Sequence, residues 1–268
     1  MLPSQLAAQQ RTEQVDPWIG VIDQRDYEDS PNGCGPTAIL NALKFGGAEY
    51  QAAFNRLLGS DDSVRIRFVV DRFFRNRPSV VYPGRKRWGL HGVSTADLAT
   101  GYNELLEAEG LSALNATYLD REVGEPITEM LHRVHDMIEQ SLRNGACPIL
   151  SLRSYAAKRR ESEDFEAAWE TARHHIVTVV EITKPVSETG FEIEILDPWE
   201  GKARRLYLHA DATGLSFSAL KGVEETGQWL SGQRFLQVLA PGVWVMRPRD
   251  LEWSDRFIVV ANFLIGDF

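Results

Sequence analysis

The sequence predicts an α+β fold, with a helical N-terminal lobe and an antiparallel β C-terminal lobe around a cleft. Three observations predict it. Apolar residues recur at helical spacing through the first half of the chain, from about Pro36 to Arg143. Beyond Gly145 the pattern becomes β-branched and alternating. The 268 residues suffice for one large domain or two closely packed subdomains, with ample material for a core. No internal repeat or low-complexity tract interrupts this plan.

The elements follow in chain order. Residues 1–16 are polar and read as a loose arm, and a single domain is expected over 17–268, its helical lobe at about 17–145 and its β lobe at about 146–268. The turn-rich Asp29-Ser30-Pro31-Asn32-Gly33 precedes a helix that opens near Pro36, carries Ile39, Leu40 and Leu43, and stops at Gly46-Gly47. Tyr50 to Leu58 continues as helix. Val64 to Phe74 reads as helix too, with a strand as the other reading. Arg75 to Gly92 is a loop rich in Pro, Gly and Arg. Ser94 and Asp97 have the spacing of a helix start, and that helix runs to about Ala108. Ile127 to Arg143 is the longest helical pattern, closed by Asn144-Gly145. Strands are expected at Cys147 to Leu152, Ile176 to Ile182, Phe191 to Leu196, Arg204 to Leu208, Gly242 to Met246 and Phe257 to Phe263.

Composition narrows the function. A net charge of -9 and a pI near 5.3 disfavour nucleic acid as the main partner, because an acidic surface repels phosphates. Three short basic clusters, Arg85-Lys86-Arg87, Lys158-Arg159-Arg160 and Arg204-Arg205, read as solvated surface, the other reading being a hold on an acidic substrate or lipid headgroup. No run approaches the roughly 18–20 apolar residues of a membrane span. The N-terminus lacks the basic and apolar pattern of a signal peptide. A soluble protein is expected, either cytoplasmic or secreted with its leader removed. Two cysteines, Cys34 and Cys147, are too few for a disulfide scaffold. One bridge between them is compatible with the count, but Cys34 stands in a context with a better use.

That context is Asn32-Gly33-Cys34-Gly35-Pro36-Thr37, a cysteine at a helix N-terminus. Unpaired N–H groups and the helix dipole favour an anion there, and the thiolate is the reactive form of cysteine. The flanking glycines admit a substrate carbonyl close to the backbone, and the Cys34 N–H is aimed to help hold an oxyanion. A thiolate nucleophile works with a nearby imidazole. His174 and His175 precede the strand at Ile176, and His175, joined to the strand, is the favoured base, with His174 as the alternative. The base needs an acceptor to orient it. If strands 176–182 and 191–196 pair as antiparallel neighbours, Asp197 falls beside His175.

Cys-Gly-Pro opening a helix that ends at Gly46-Gly47, His before a β-branched strand, and a strand closing in Asp197-Pro198-Trp199 together resemble papain-like cysteine peptidases. More narrowly they are similar to the bacteriocin-processing, double-glycine-leader branch and its stand-alone bacterial relatives. The resemblance covers roughly residues 18–47 and 146–200. It implies a papain-like fold and a triad of Cys34, His175 and Asp197 acting on a peptide or isopeptide bond in a peptide or protein substrate, without a cofactor. In that family a glutamine a few residues before the cysteine donates to the oxyanion. Here the nearest is Gln24, ten positions upstream, which serves only if residues 25–33 bulge. Asn32 is the substitute. The helical stretch from Gly47 to Gly145 is long for this branch and is expected to form a lid or wall of the cleft.

Two other functions compete. An acyl transferase, transglutaminase-like or arylamine acetyltransferase-like, would use the same triad with an amine in place of water. A binding module on the same fold would capture a peptide without cutting it. His132, His135 and Asp136 lie one helical turn apart, a spacing that suits zinc, but read as a polar helix face. Trp88, Trp169, Trp199, Trp229, Trp244 and Trp253 read as scattered core.

Overall fold

The structure, a computed structural model, describes residues 18–157, 169–210, 235–246 and 257–268. The expected arm at 1–16, the cluster Lys158-Arg159-Arg160, Trp229, Trp253 and the side chain of Trp169 lie outside the described residues.

Helix α1 (Cys34–Phe45) is the centre of the helical part. Pro36 sits in its first turn, where a missing N–H removes no bond. Every residue from Gly35 to Leu43 is buried, so α1 is enclosed on all sides. One side meets α2 (Ala48–Arg56), α3 (Asp62–Val70) and α4 (Thr95–Ala108), and the other meets the sheet. Asp61 caps α3 by accepting from the Val64 N–H, and Ser94 caps α4 by accepting from the Asp97 N–H. Past Val70, α3 widens into a π-turn over Asp71–Arg75. That turn brings Phe74 against Gly101, where an added Cβ would stand 2.2 Å from the ring. Helix α5 (Ile127–Arg143) turns Met130, Leu131, Val134 and Ile138 inward and ends at Asn144, with Gly145 at φ 80°.

Among the described residues the sheet has seven antiparallel strands: β1 (Asn115–Tyr118), β2 (Ile149–Ala157), β3 (Trp169–Lys184), β4 (Gly190–Asp197), β5 (Lys202–His209), β6 (Leu236–Leu239) and β7 (Phe257–Gly266). Their order is β1-β7-β2-β3-β4-β5-β6, and β6 pairs back onto β7. Strands β2 to β7 therefore close into a six-stranded barrel, with β1 attached to β7 beyond the closure. Closure removes the free edges that an open antiparallel lobe would expose. The barrel interior holds Leu150, Leu152, Val177, Val179, Ile193, Ile195, Leu206 and Leu208, and the apolar face of α5 joins that core. Outward-facing Ile149, Ile176, Phe263 and Ile265 share a second core with α1.

This corrects the expected fold class. The β part is a closed barrel with helices layered on its wall, and not the antiparallel lobe of a papain-like fold facing a helical lobe across a cleft. The alternating strand patterns carry no information about closure, which depends on β6. Residues 242–246 are not a strand either. Gly242 turns the chain at φ 78°, and Trp244–Met246 form a 3-10 turn. Strand β1 falls within the expected helical half.

Candidate active site

Cys34 is the first residue of α1, half-buried and unbridged, and Cys147 is also a free thiol. Burial pushes the Cys147 thiol up to about 12, which leaves it protonated and inert. The turn before Cys34 is held by close packing. Gly92, at φ 78°, lies so near Asn32 that a Cβ would stand 3.0 Å from the Asn32 carbonyl oxygen. A Cβ on Gly35 would stand 2.9 Å from Leu98 and 3.0 Å from Val93.

His175 lies within β3, which begins at Trp169, so the two histidines are interior to the strand and not at its start. The ladder to β4 nevertheless stops at Thr178, paired with Leu196. Before Thr178 the β4 side of β3 is open to side chains. Alternation then separates the histidines. His174 stands opposite Arg153 on the outer face, and His175 opposite Leu152 on the inner one. His174 Nε2 lies 2.7 Å from the Ser151 hydroxyl, which donates to Asn262 Oδ1. Burial and the neighbouring charges of Arg153 and His175 lower its pKa to about 3, so His174 is neutral.

His175 Nε2–H donates to Asp197 Oδ1 at 2.7 Å, with both side chains buried. Its other nitrogen is left for Cys34, which also favours the charged imidazole. Burial opposes the charge on His175. Asp197 and Cys34 outweigh it and raise the pKa to about 9. The imidazolium is therefore the neutral-pH form, beside the sulfur.

Asp197 is itself secured. Its Oδ1 accepts the Trp199 N–H at 2.9 Å, and its Oδ2 accepts Arg204 Nε at 3.0 Å. Arg204 also reaches Glu200 at 2.6 Å. Arg204 is thus part of the site and is corrected from solvated surface, whereas Arg205 is exposed as expected. Arg87 is likewise no solvated residue, being buried and doubly bonded to Glu104, while Arg85 and Lys86 are exposed as expected. Trp244 lies 5.8 Å from the His175 ring and 5.4 Å from Trp199, so these two tryptophans flank the site instead of belonging to scattered core.

Gln24 is buried beside the thiol turn, as the bulging loop requires. Residues 24–26 and 30–32 form two 3-10 turns, and the Cβ position of Gly33 lies 3.4 Å from Gln24 Cβ. Gln24 Nε2 donates to the Ser30 carbonyl at 2.5 Å, and Oε1 has no partner. Asn32 instead bonds Asp29 through its amide at 2.8 Å. Asn41 on α1 clamps Ile22 by accepting its N–H at 2.9 Å and donating to its carbonyl at 3.3 Å. The Gln24 N–H donates to the Pro198 carbonyl at 2.7 Å, in the turn that follows Asp197. Gly201, at φ 58°, packs that turn against Val21 and Asp23. The Thr178 hydroxyl donates to the Ala38 carbonyl at 2.8 Å, fixing β3 to α1.

Sequence reasoning missed Arg204, Asn41, Trp199 and Trp244. Asn41 did leave a signal, as a polar residue inside an apolar helical run. The possible zinc group is a poor one. His135 packs edge-on against Phe191, its cluster is completed by Asp136 and Glu139, and His132 stands outside it. Among the described residues no helix is long and apolar enough to cross a membrane. The site and fold define a barrel protein with a buried His-Asp pair beside a half-buried cysteine. Comparison with family models, curated proteins and solved structures returns no match.

Proposed function

We propose that the chain is a thiol hydrolase, a cysteine peptidase that cleaves a peptide or isopeptide bond through Cys34, His175 and Asp197. The observation that carries this reading is the buried 2.7 Å hydrogen bond between His175 and Asp197, with the other side of the imidazole turned to a cysteine at a helix N-terminus. A structural cysteine has no need of such a partner. The resemblance to papain-like cysteine peptidases rests on these site residues and not on the fold.

In this reading the Cys34 thiolate attacks the carbonyl carbon, and the carbonyl electron pair moves to oxygen. The Cys34 N–H and the second N–H of Gln24 stabilise that oxyanion. Collapse of the intermediate breaks the C–N bond, and His175 gives its proton to the departing amine. His175, now neutral, takes a proton from water as it attacks the thioester. The acid leaves, and the thiolate–imidazolium pair is restored. Asp197 holds the ring throughout, supported by Arg204.

An acyl transferase would follow the same path up to the thioester. The test is intact mass spectrometry after mixing with p-nitrophenyl acetate. A transient acetyl group on Cys34, absent in Cys34→Ser and discharged by water alone, supports the hydrolase. Discharge only upon addition of an amine favours the transferase. No adduct at Cys34 leaves a binding module in front.

A further inference from the structure

A groove of about 620 Å³ runs along the outer face of the barrel beside the thiol turn. Its Gly92 and Val93 are the residues packed on Asn32 and Gly35, so the groove borders the turn that carries Cys34. Its lining is cationic in a chain of net charge -9: Arg85, Lys86 and Arg153 face it, with neutral His174. The carboxylate in the lining, Asp97, is buried and already taken up by Ser79, Ser94 and the Val80 N–H. Arg153 is the unusual member. Its Nε is buried without a hydrogen-bond partner, and among the described residues no carboxylate pairs with it. A half-buried guanidinium kept without a counter-charge is costly unless a ligand supplies one.

We infer that this groove is the substrate subsite of the thiol site, and that it selects a peptide carrying a carboxylate near the bond presented to Cys34, with Arg153 as the anchor. The inference rests on the hydrolase reading and names its substrate class. A carboxylate fits the planar fork of Arg153 in two parallel bonds. Arg85, resting 5.5 Å over the Tyr82 ring, and exposed Lys86 draw the anion in. Exposed Leu90 and Tyr118 offer apolar contact to the flanking peptide. The carboxylate has two possible sources, an acidic side chain or the peptide's own C-terminus.

The test is fluorescence anisotropy with the full chain carrying Cys34→Ala, so that no peptide is cut. Three fluorescein-labelled peptides are compared: an alanine–glutamate peptide amide, its alanine–glutamine counterpart as the amide, and that counterpart with a free C-terminus. Binding of the glutamate peptide about tenfold tighter than the neutral amide, with the preference lost in Arg153→Gln, supports a side-chain carboxylate. The same preference confined to the free C-terminus supports the terminal carboxylate. Equal binding of all three peptides, or a preference that survives Arg153→Gln, overturns the inference. If Arg153→Gln does not fold, Arg85→Gln on its exposed loop decides. A preference weakened about threefold and less sensitive to salt supports the groove, and an unchanged preference overturns it. Iodoacetamide labelling of Cys34 in the unaltered chain reads the thiol site without any peptide, so the two proposals fail separately.

Discussion

His175 and Asp197 come from different strands, lie 22 residues apart, and meet through a 2.7 Å hydrogen bond with neither side chain more than 1% exposed. Removing the acid strands two cationic groups, His175 and Arg204, in a buried setting. Asp197→Ala is expected to cost about 3 kcal/mol of stability. Asp197→Asn, which keeps an acceptor for the imidazole N–H, is expected to cost clearly less. Urea unfolding of both variants tests this, and equal losses would show that the buried hydrogen bond is not the stabilising element.

The raised pKa of His175 makes stability depend on pH. The folded group titrates near 9 against 6.5 for an ordinary histidine. A raised folded pKa means that the native state holds the proton more tightly. The contribution is complete below about pH 6.5 and disappears as pH rises through about 9. Wild-type stability should fall across that window, and His175→Gln should lack this slope. Parallel profiles for the two proteins would remove the charged imidazole from the picture.

Gln24 and the thiol can be tested apart. Iodoacetamide alkylation builds no oxyanion, whereas ester hydrolysis does. In Gln24→Ala the turnover of p-nitrophenyl acetate should drop about 10²-fold, with alkylation changed by less than about twofold. A drop in both would make Gln24 a packing residue.

Asn41 supports the same segment from α1. Asn41→Ala leaves the Ile22 N–H and carbonyl buried without their partner. It should lose about 2 kcal/mol in urea unfolding and lower ester turnover by displacing Gln24. Full turnover in a destabilised variant would separate the clamp from the site.

The reach of the sequence differs from element to element. Helix α5 was legible to the residue, because its apolar face repeats over a long, uninterrupted run. Strand β4 was legible from strict alternation, and the antiparallel pairing of β3 with β4 then located Asp197 beside His175. The start of β3 was not, because Trp169-Glu170-Thr171-Ala172-Arg173 has neither alternation nor a β-branched run. Strand β6 is four residues long, too short for a periodic signal, and the barrel closes through it. Arg87 and Arg204 looked solvated because their partners, Glu104 and Asp197, are set by folding and not by cluster composition. Which histidine faces Cys34 depended on strand phase, and phase follows from pairing with β2.

The most direct measurement of the thiol–imidazole pair is the rate of Cys34 alkylation by iodoacetamide against pH. It is read by intact mass, with Cys147 replaced by Ser, in the parent chain and in His175→Ala. Fast labelling at about pH 6, lost in His175→Ala, is the result expected of a charged His175 beside the sulfur. Labelling that rises only in alkali, as for an ordinary thiol, and that His175→Ala leaves unchanged, would contradict the triad.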